Sequence, residues 1–196
     1  MTARRAEVRR TTRETDVEVA LTLDGGGRAD VATGVGFFDH MLELFACHAG
    51  VDLRVKARGD LEVDAHHTVE DVALALGRAL REALGDKAGI RRYGSCLLPM
   101  DEALVMVALD LSGRPYLAHD LQLAGVRVGE FDAGLTAHFL RSLATQSGMT
   151  LHVRLLAGSD AHHIVEAVFK AFARALAEAC ERRGSGDEVP STKGIL

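Results

Sequence analysis

The feature that most narrows what this chain can fold into is that it is written twice. Glu14, the alternating stretch Val17-Glu18-Val19-Ala20-Leu21-Thr22-Leu23, Gly25, His40, a strand pattern at 51–55 and Asp64-Ala65-His66-His67 recur in order. Their counterparts are Glu102, 105–111, Gly113, His138, 149–153 and Asp160-Ala161-His162-His163. Glu14 and Glu102 stand 88 positions apart, His40 and His138 98, and His66 and His162 96. A duplicated module with altered loop lengths accounts for this order more simply than coincidence. We read repeats at about 10–88 and 97–183 with a tail at 184–196, the whole of 1–196 forming one unit.

The length supports that reading, because 196 residues suffice for one substantial core shared by two halves. With 47% hydrophobic and 26% charged residues and a formal charge of −5, the chain has the makeup of a globular protein, which argues against a nucleic-acid partner. Cys47, Cys96 and Cys180 are odd in number and lack CxxC spacing, so a disulfide framework and a thiolate metal site are both unsupported, and a reducing cytoplasm fits. No apolar run is long enough to cross a bilayer, so no membrane role is expected. The arginine-rich start, 4–13, contains Glu7 and runs straight into a strand pattern; we read it as a frayed basic terminus rather than a targeting segment.

Alternation at Val17, Val19, Leu21 and Leu23, and at Leu53 and Val55, predicts strands with one solvated face. The stretch 103–109 is apolar throughout, which predicts a strand covered more fully or a contact between subunits. Val69, Val72, Ala73, Leu76 and Leu80 recur at helical spacing, as do Val165, Val168, Phe169, Phe172 and Leu176. Asp64 and Asp160 stand where N-caps belong, and Gly85 where the first helix should end. Each half then reads strands, helix, strand, helix: an α+β chain whose helices each bury one stripe, with the halves joined helix layer to helix layer.

The chemistry lies where those long helices begin. Both open on HHxxE, as His66-His67-Thr68-Val69-Glu70 and His162-His163-Ile164-Val165-Glu166. Positions four apart share a helix face, so His66 with Glu70, and His162 with Glu166, can offer an imidazole nitrogen and a carboxylate to one ion. The neighbouring His67 and His163 point about 100° away and are free to serve a second ion. One such motif could simply solvate a helix start; two in register inside a repeat argue for metal. His40 and His138 join the set because they hold equivalent places upstream of each motif, giving two ions four ligands each. His48, His119 and His152 are read as packing or surface residues. Imidazole and carboxylate without thiolate suit manganese, iron or zinc, and a preference for octahedral geometry favours manganese.

These motifs carry a resemblance. Phe37-Phe38-Asp39-His40-Met41-Leu42, Asp64-Ala65-His66-His67-Thr68-Val69-Glu70-Asp71, Leu97-Leu98-Pro99-Met100-Asp101-Glu102, Asp110-Leu111-Ser112-Gly113-Arg114-Pro115 and Pro190-Ser191-Thr192-Lys193-Gly194 together resemble the imidazoleglycerol-phosphate dehydratases over nearly the whole chain. The resemblance implies a tandem duplication of a half like the second domain of ribosomal protein S5, two sheets sandwiching a layer of helices. It implies a homo-oligomer, a shell of about 24 subunits with sites between them, holding two Mn2+ per active site. It pairs His40, His66 and Glu70 with His163 on one ion, and His138, His162 and Glu166 with His67 on the other. The implied reaction dehydrates D-erythro-imidazoleglycerol phosphate to imidazoleacetol phosphate in L-histidine biosynthesis, the paired metals binding the substrate as an imidazolate.

By the same resemblance Glu14 is the acid/base that touches substrate, and Arg92, Arg114, Ser191 and Lys193 cradle the phosphate. Taken alone, Glu14 reads as an exposed glutamate before a strand, and the arginines and lysine as solvated charges. Gly184-Ser185-Gly186 reads as a hinge that lets the tail close over ligand. Leu44 replaces a glutamine common among relatives, and the absence of an added phosphatase domain implies a single activity. Two rivals use the same ligands: a dimetal enzyme acting on a phosphoester or amide, and a non-catalytic assembly stapled by metal.

Overall fold

A computed structural model describes residues 4–183 and 188–194. The first half runs β1 (Arg5–Thr11), β2 (Thr15–Thr22), β3 (Ala29–Ala32), α1 (Gly36–Ala49), β4 (Asp52–Gly59) and α2 (His66–Leu84). The second runs β5 (Tyr93–Met100), β6 (Ala103–Asp110), β7 (Tyr116–His119), β8 (Arg127–Val128), β9 (Phe131–Asp132), α3 (Leu135–Ser147), β10 (Thr150–Ala157) and α4 (Ala161–Cys180). Each half builds a four-stranded sheet of the same topology, β1-β2-β4-β3 and β5-β6-β10-β7. In both, the third strand runs parallel to its neighbour and the other pairings are antiparallel. The duplication thus extends to strand order and direction.

The alternating residues do what their period requires. Val17, Val19, Leu21, Leu53 and Val55 face inward and are almost fully buried. The long helices cover their own sheets, α2 on β1 and β2, α4 on β5 and β6, while the short helices cross over, α3 packing on α2 and α1 on α4. Two sheets therefore enclose one helical layer to which both halves contribute. Aromatic rings join that layer: Phe38 of α1 meets Phe139 of α3 at 5.4 Å, Phe139 meets Phe169 of α4 at 5.2 Å, and Phe45 stacks on Phe172 at 5.6 Å. Burying aromatic surface from both halves in one core couples their stability.

Two expectations need correction, and a third is narrowed to one of its alternatives. The basic terminus is not frayed: it is β1, paired in register with β2 from Arg5↔Thr22 to Thr11↔Asp16. Its arginines are ordered by acids, Arg4 against Asp24, Arg9 against Asp16 and Arg10 against Asp71. A strand on a sheet edge can carry charge outward at every second residue, a pattern easily mistaken for a solvated tail. Of the two alternatives for β6, cover on both faces within the chain is excluded, since Val105 and Val107 are buried whereas Met106 is 37% and the neighbouring Leu97 60% exposed; a contact between subunits is the alternative left. The spacing difference between the halves is more than loop length, because the insertion before α3 contains the β8–β9 hairpin, whose Phe131 is buried against Phe37 and Phe38.

Helices α2 and α3 approach closely at Gly77, where a Cβ would stand 2.7 Å from the Leu143 carbonyl oxygen and 2.9 Å from Gln146 Cβ. Alanine is the better helix former by roughly 1 kcal/mol, yet here it must push the helices apart. Gly77→Ala is expected to lower the melting temperature and reduce bound metal in the same preparation. A rise in melting temperature, the outcome propensity alone predicts, would refute the close-packing account.

Candidate metal centre

The helix starts set the histidines. Asp160 caps α4, its carboxylate accepting from the backbone N–H of His162 (2.8 Å) and His163 (3.2 Å). Asp64 performs half of this from one residue further out: it accepts from His66 N–H at 2.7 Å, while the N-cap position itself is Ala65, which corrects the expectation of a second aspartate cap. The two rings of each pair diverge identically, 6.1 Å apart and inclined by 80° in both His66–His67 and His162–His163. Asp39 anchors the α1 start, accepting from Thr33 N–H (2.9 Å) and hydroxyl (2.5 Å), so His40 on the next residue is held in place.

The ligands gather into two clusters of matching composition. In one, His138 Nε2 lies 3.5 Å from Glu70 Oε1 and His66 Nε2 4.0 Å from Glu70 Oε2, the two rings 4.3 Å apart. In the other, His162 Nε2 lies 3.2 Å and His40 Nε2 4.0 Å from Glu166 Oε2. This regroups the set: the resemblance puts His40 with His66 and Glu70, but within this chain His40 sits with His162 and Glu166, and His138 with His66 and Glu70. The reason is the crossover of the helical layer, since α1 packs on α4 and α3 on α2.

The first cluster has the spacing of a cation site. Among the described residues, His66, Glu70 and His138 bring donor atoms within 4.8 Å of one another, and donors sharing an ion at about 2.1 Å each lie roughly 3–4 Å apart. His138 Nε2 is also buried without a hydrogen bond, the condition a metal would relieve. The second cluster is charged differently. Lys170 Nζ donates to Glu166 Oε1 at 2.5 Å, and although burial pushes the Glu166 carboxyl up, Lys170 and His162 hold it below the ordinary range. Lys170 escaped the sequence reading, though it lies one helical turn beyond Glu166 on the same face.

His67 and His163 turn away from these clusters toward carboxylates. His67 Nδ1 contacts Asp60 at 3.0 Å and stands 3.8 Å from Glu14 Oε2; His163 Nδ1 contacts Glu102 at 2.7 Å. These bonds raise both histidines above the usual imidazole range, Asp60 acting on one and Glu102 on the other. An Nδ1–H donated to a carboxylate leaves Nε2 as the ligating nitrogen. Glu102 is itself held down to about 2 by the Asp160 N–H, His163 and the Ser159 N–H.

A cationic corner lies at the start of β5. Arg92 is buried, with left-handed backbone (φ 75°), its Nε and Nη2 on the Asp110 carboxylate at 2.7 and 3.1 Å and its Nη1 on the Pro190 carbonyl at 2.9 Å. Arg114 Nη2 stands 3.8 Å from the same carboxylate. The Pro190 contact brings Ser191 to Arg92; Ser191 Oγ accepts from Lys193 N–H at 3.2 Å, while the Lys193 side chain is exposed. Lys87, buried and also left-handed (φ 62°), was missed by the sequence reading; burial lowers its ammonium pKa while Asp110 opposes that shift. The hinge read at 184–186 lies outside the described residues. Leu44 is half-buried against the core, and His152 meets Tyr116 at 5.9 Å.

Comparison with known proteins converges on one family. Its sequence model, imidazoleglycerol-phosphate dehydratase, matches residues 33–176. The imidazoleglycerol-phosphate dehydratase of Acetivibrio thermocellus is 56% identical over 98% of this chain and 99% of its own length. The chloroplastic protein of Pisum sativum is 56% identical over 97% of this chain and 68% of its own. Crystal structures from Staphylococcus aureus (38% identity, 91% and 99% of the two chains) and Pyrococcus furiosus (40%, 96% and 100%) each superpose with a TM-score of 0.83. The chain belongs to the imidazoleglycerol-phosphate dehydratase family of hydro-lyases.

Proposed function

We propose that this protein dehydrates D-erythro-imidazoleglycerol phosphate to imidazoleacetol phosphate in L-histidine biosynthesis, in the cytoplasm, with two Mn2+ at each active site. The observation that carries this reading is the matching pair of His/His/Glu clusters, whose wholly nitrogen and oxygen donors suit manganese and the two nitrogens of an azole. His66, Glu70 and His138 would hold one ion and His40, His162 and Glu166 the other. Bound there, the ions supply Lewis acidity at the ring, easing loss of the neighbouring hydroxyl.

Each cluster offers three ligands, and the resemblance calls for a fourth from His163 or His67. Both rings point away from the clusters of their own chain, so we assign them to a second copy, His163 to the ion of His66, Glu70 and His138, and His67 to the other. The exposed apolar strip of β5 and β6, with Leu97 and Met106, supports assembly of copies. A homo-oligomer, a shell of about 24 subunits with sites between them, follows from this reading.

The dehydration breaks a C–H and a C–O bond, so a proton must leave carbon and another must reach the departing hydroxyl. Glu14 is assigned that transfer: its carboxylate is 55% exposed and lies beside His67, where a substrate can reach it. Arg92, Arg114, Ser191 and Lys193 are assigned to the phosphate, with Asp110 orienting both guanidinium groups.

Two measurements test the assignment. Manganese-loaded protein given imidazoleglycerol phosphate should form the keto product, and chelation should abolish turnover; release of inorganic phosphate instead would favour a dimetal hydrolase, and no reaction with metal bound a stapled assembly. His138→Ala should remove about half of the bound metal and leave His40, His162 and Glu166 loaded, as read by elemental analysis. Full metal retention in that variant would contradict the grouping.

A further inference from the structure

Glu14 occupies the turn between β1 and β2, and among the described residues no hydrogen bond holds its carboxylate. Its position is therefore set by its backbone. Thr12 Oγ1 accepts from the N–H of Glu14 at 3.1 Å and of Thr15 at 3.0 Å, and Thr12 N–H donates to the Thr15 carbonyl at 2.8 Å. Thr15 is buried, and its hydroxyl donates to Asp71 Oδ2 on α2. The other Asp71 oxygen accepts from Arg10 Nε at 2.7 Å. A buried carboxylate thus spends both oxygens on the two strands that flank Glu14, and it does so from the helix that carries His67.

The second repeat supplies an internal comparison. At the places equivalent to Arg10, Thr15 and Asp71 it has Leu98, Ala103 and Ala167, the two alanines almost fully buried. In that half the fold closes the same corner with apolar groups. In that same half the glutamate equivalent to Glu14 needs no clamp. Glu102 is bonded directly, by the N–H of Ser159 (3.1 Å) and Asp160 (2.8 Å) and by His163. The polar triad therefore occurs in the half whose carboxylate has no hydrogen bond among the described residues, only His67 Nδ1 at 3.8 Å, and is missing where the carboxylate is hydrogen-bonded.

We propose that Arg10, Thr15 and Asp71 are positioning residues: they fasten the β1–β2 turn to α2 and so set the reach of Glu14 toward substrate bound beside His67. The proposal rests on the acid/base reading of Glu14. Displacing a reacting group by about 1 Å can cost up to about a hundredfold in rate.

The test transplants the second repeat's solution into the first, as Arg10→Leu, Thr15→Ala and Asp71→Ala together, alongside Thr15→Val and Thr15→Ser, each purified with metal. The triple variant and Thr15→Val should fold, keep their metal content and KM, and lose about ten- to a hundredfold in kcat. Thr15→Ser, which retains the donor, should stay within about threefold of the parent. In a Glu14→Gln background the triple substitution should add no further loss, because both changes act through one carboxylate. A parental kcat in the metal-loaded triple variant overturns the proposal, as does an equal further loss in the Glu14→Gln background, which a general structural defect would give. Should the triple variant fail to load metal or fold, Thr15→Val decides on the same criteria. A parental kcat in Glu14→Gln itself would instead remove the acid/base reading beneath it.

Discussion

Everything in this structure depends on the exchange of helices between the two halves. Each long helix lies on its own sheet but packs its other side against the short helix of the opposite half, α2 on α3 and α1 on α4. That exchange buries Phe38, Phe139 and Phe169 in one aromatic core. It also brings His138 to Glu70 and His40 to Glu166. Stability and site assembly are therefore the same contact: a change that separates the helices by a fraction of an ångström acts on both.

The duplication is symmetric in its ligands and asymmetric in its surroundings. Among the described residues Glu70 pairs with histidines, whereas Glu166 also accepts from Lys170. Glu102 is locked onto the start of α4 and lies far below the ordinary carboxylate range, while Glu14 is exposed. Two copies of one module have thus kept the histidine and glutamate positions on their helices and diverged in the groups around those carboxylates.

Much of this was legible in the chain. The period of two at Val17, Val19 and Leu21 and the helical period from Val69 to Leu80 reported burial directly, since a strand or helix with one apolar face must cover it. HHxxE reported two diverging rings for the same geometric reason. The basic β1 was not legible, because alternating arginines on a sheet edge look like a solvated terminus until their acidic partners are placed. Nor was the β8–β9 hairpin, whose strands are only two residues long and carry no period.

By itself the sequence determined the repeat, the two amphipathic helices, the eight candidate imidazole and carboxylate residues and the family to which they point, because these are encoded in residue order and in spacing along the chain. Only the tertiary structure decided which histidine joins which glutamate, which carboxylate is hydrogen-bonded, and that Asp71, Thr15 and Arg10 meet. Those relations join residues tens of positions apart. Local periodicity says which face of a helix is buried, but not against what, and the crossing of the helical layer settles that.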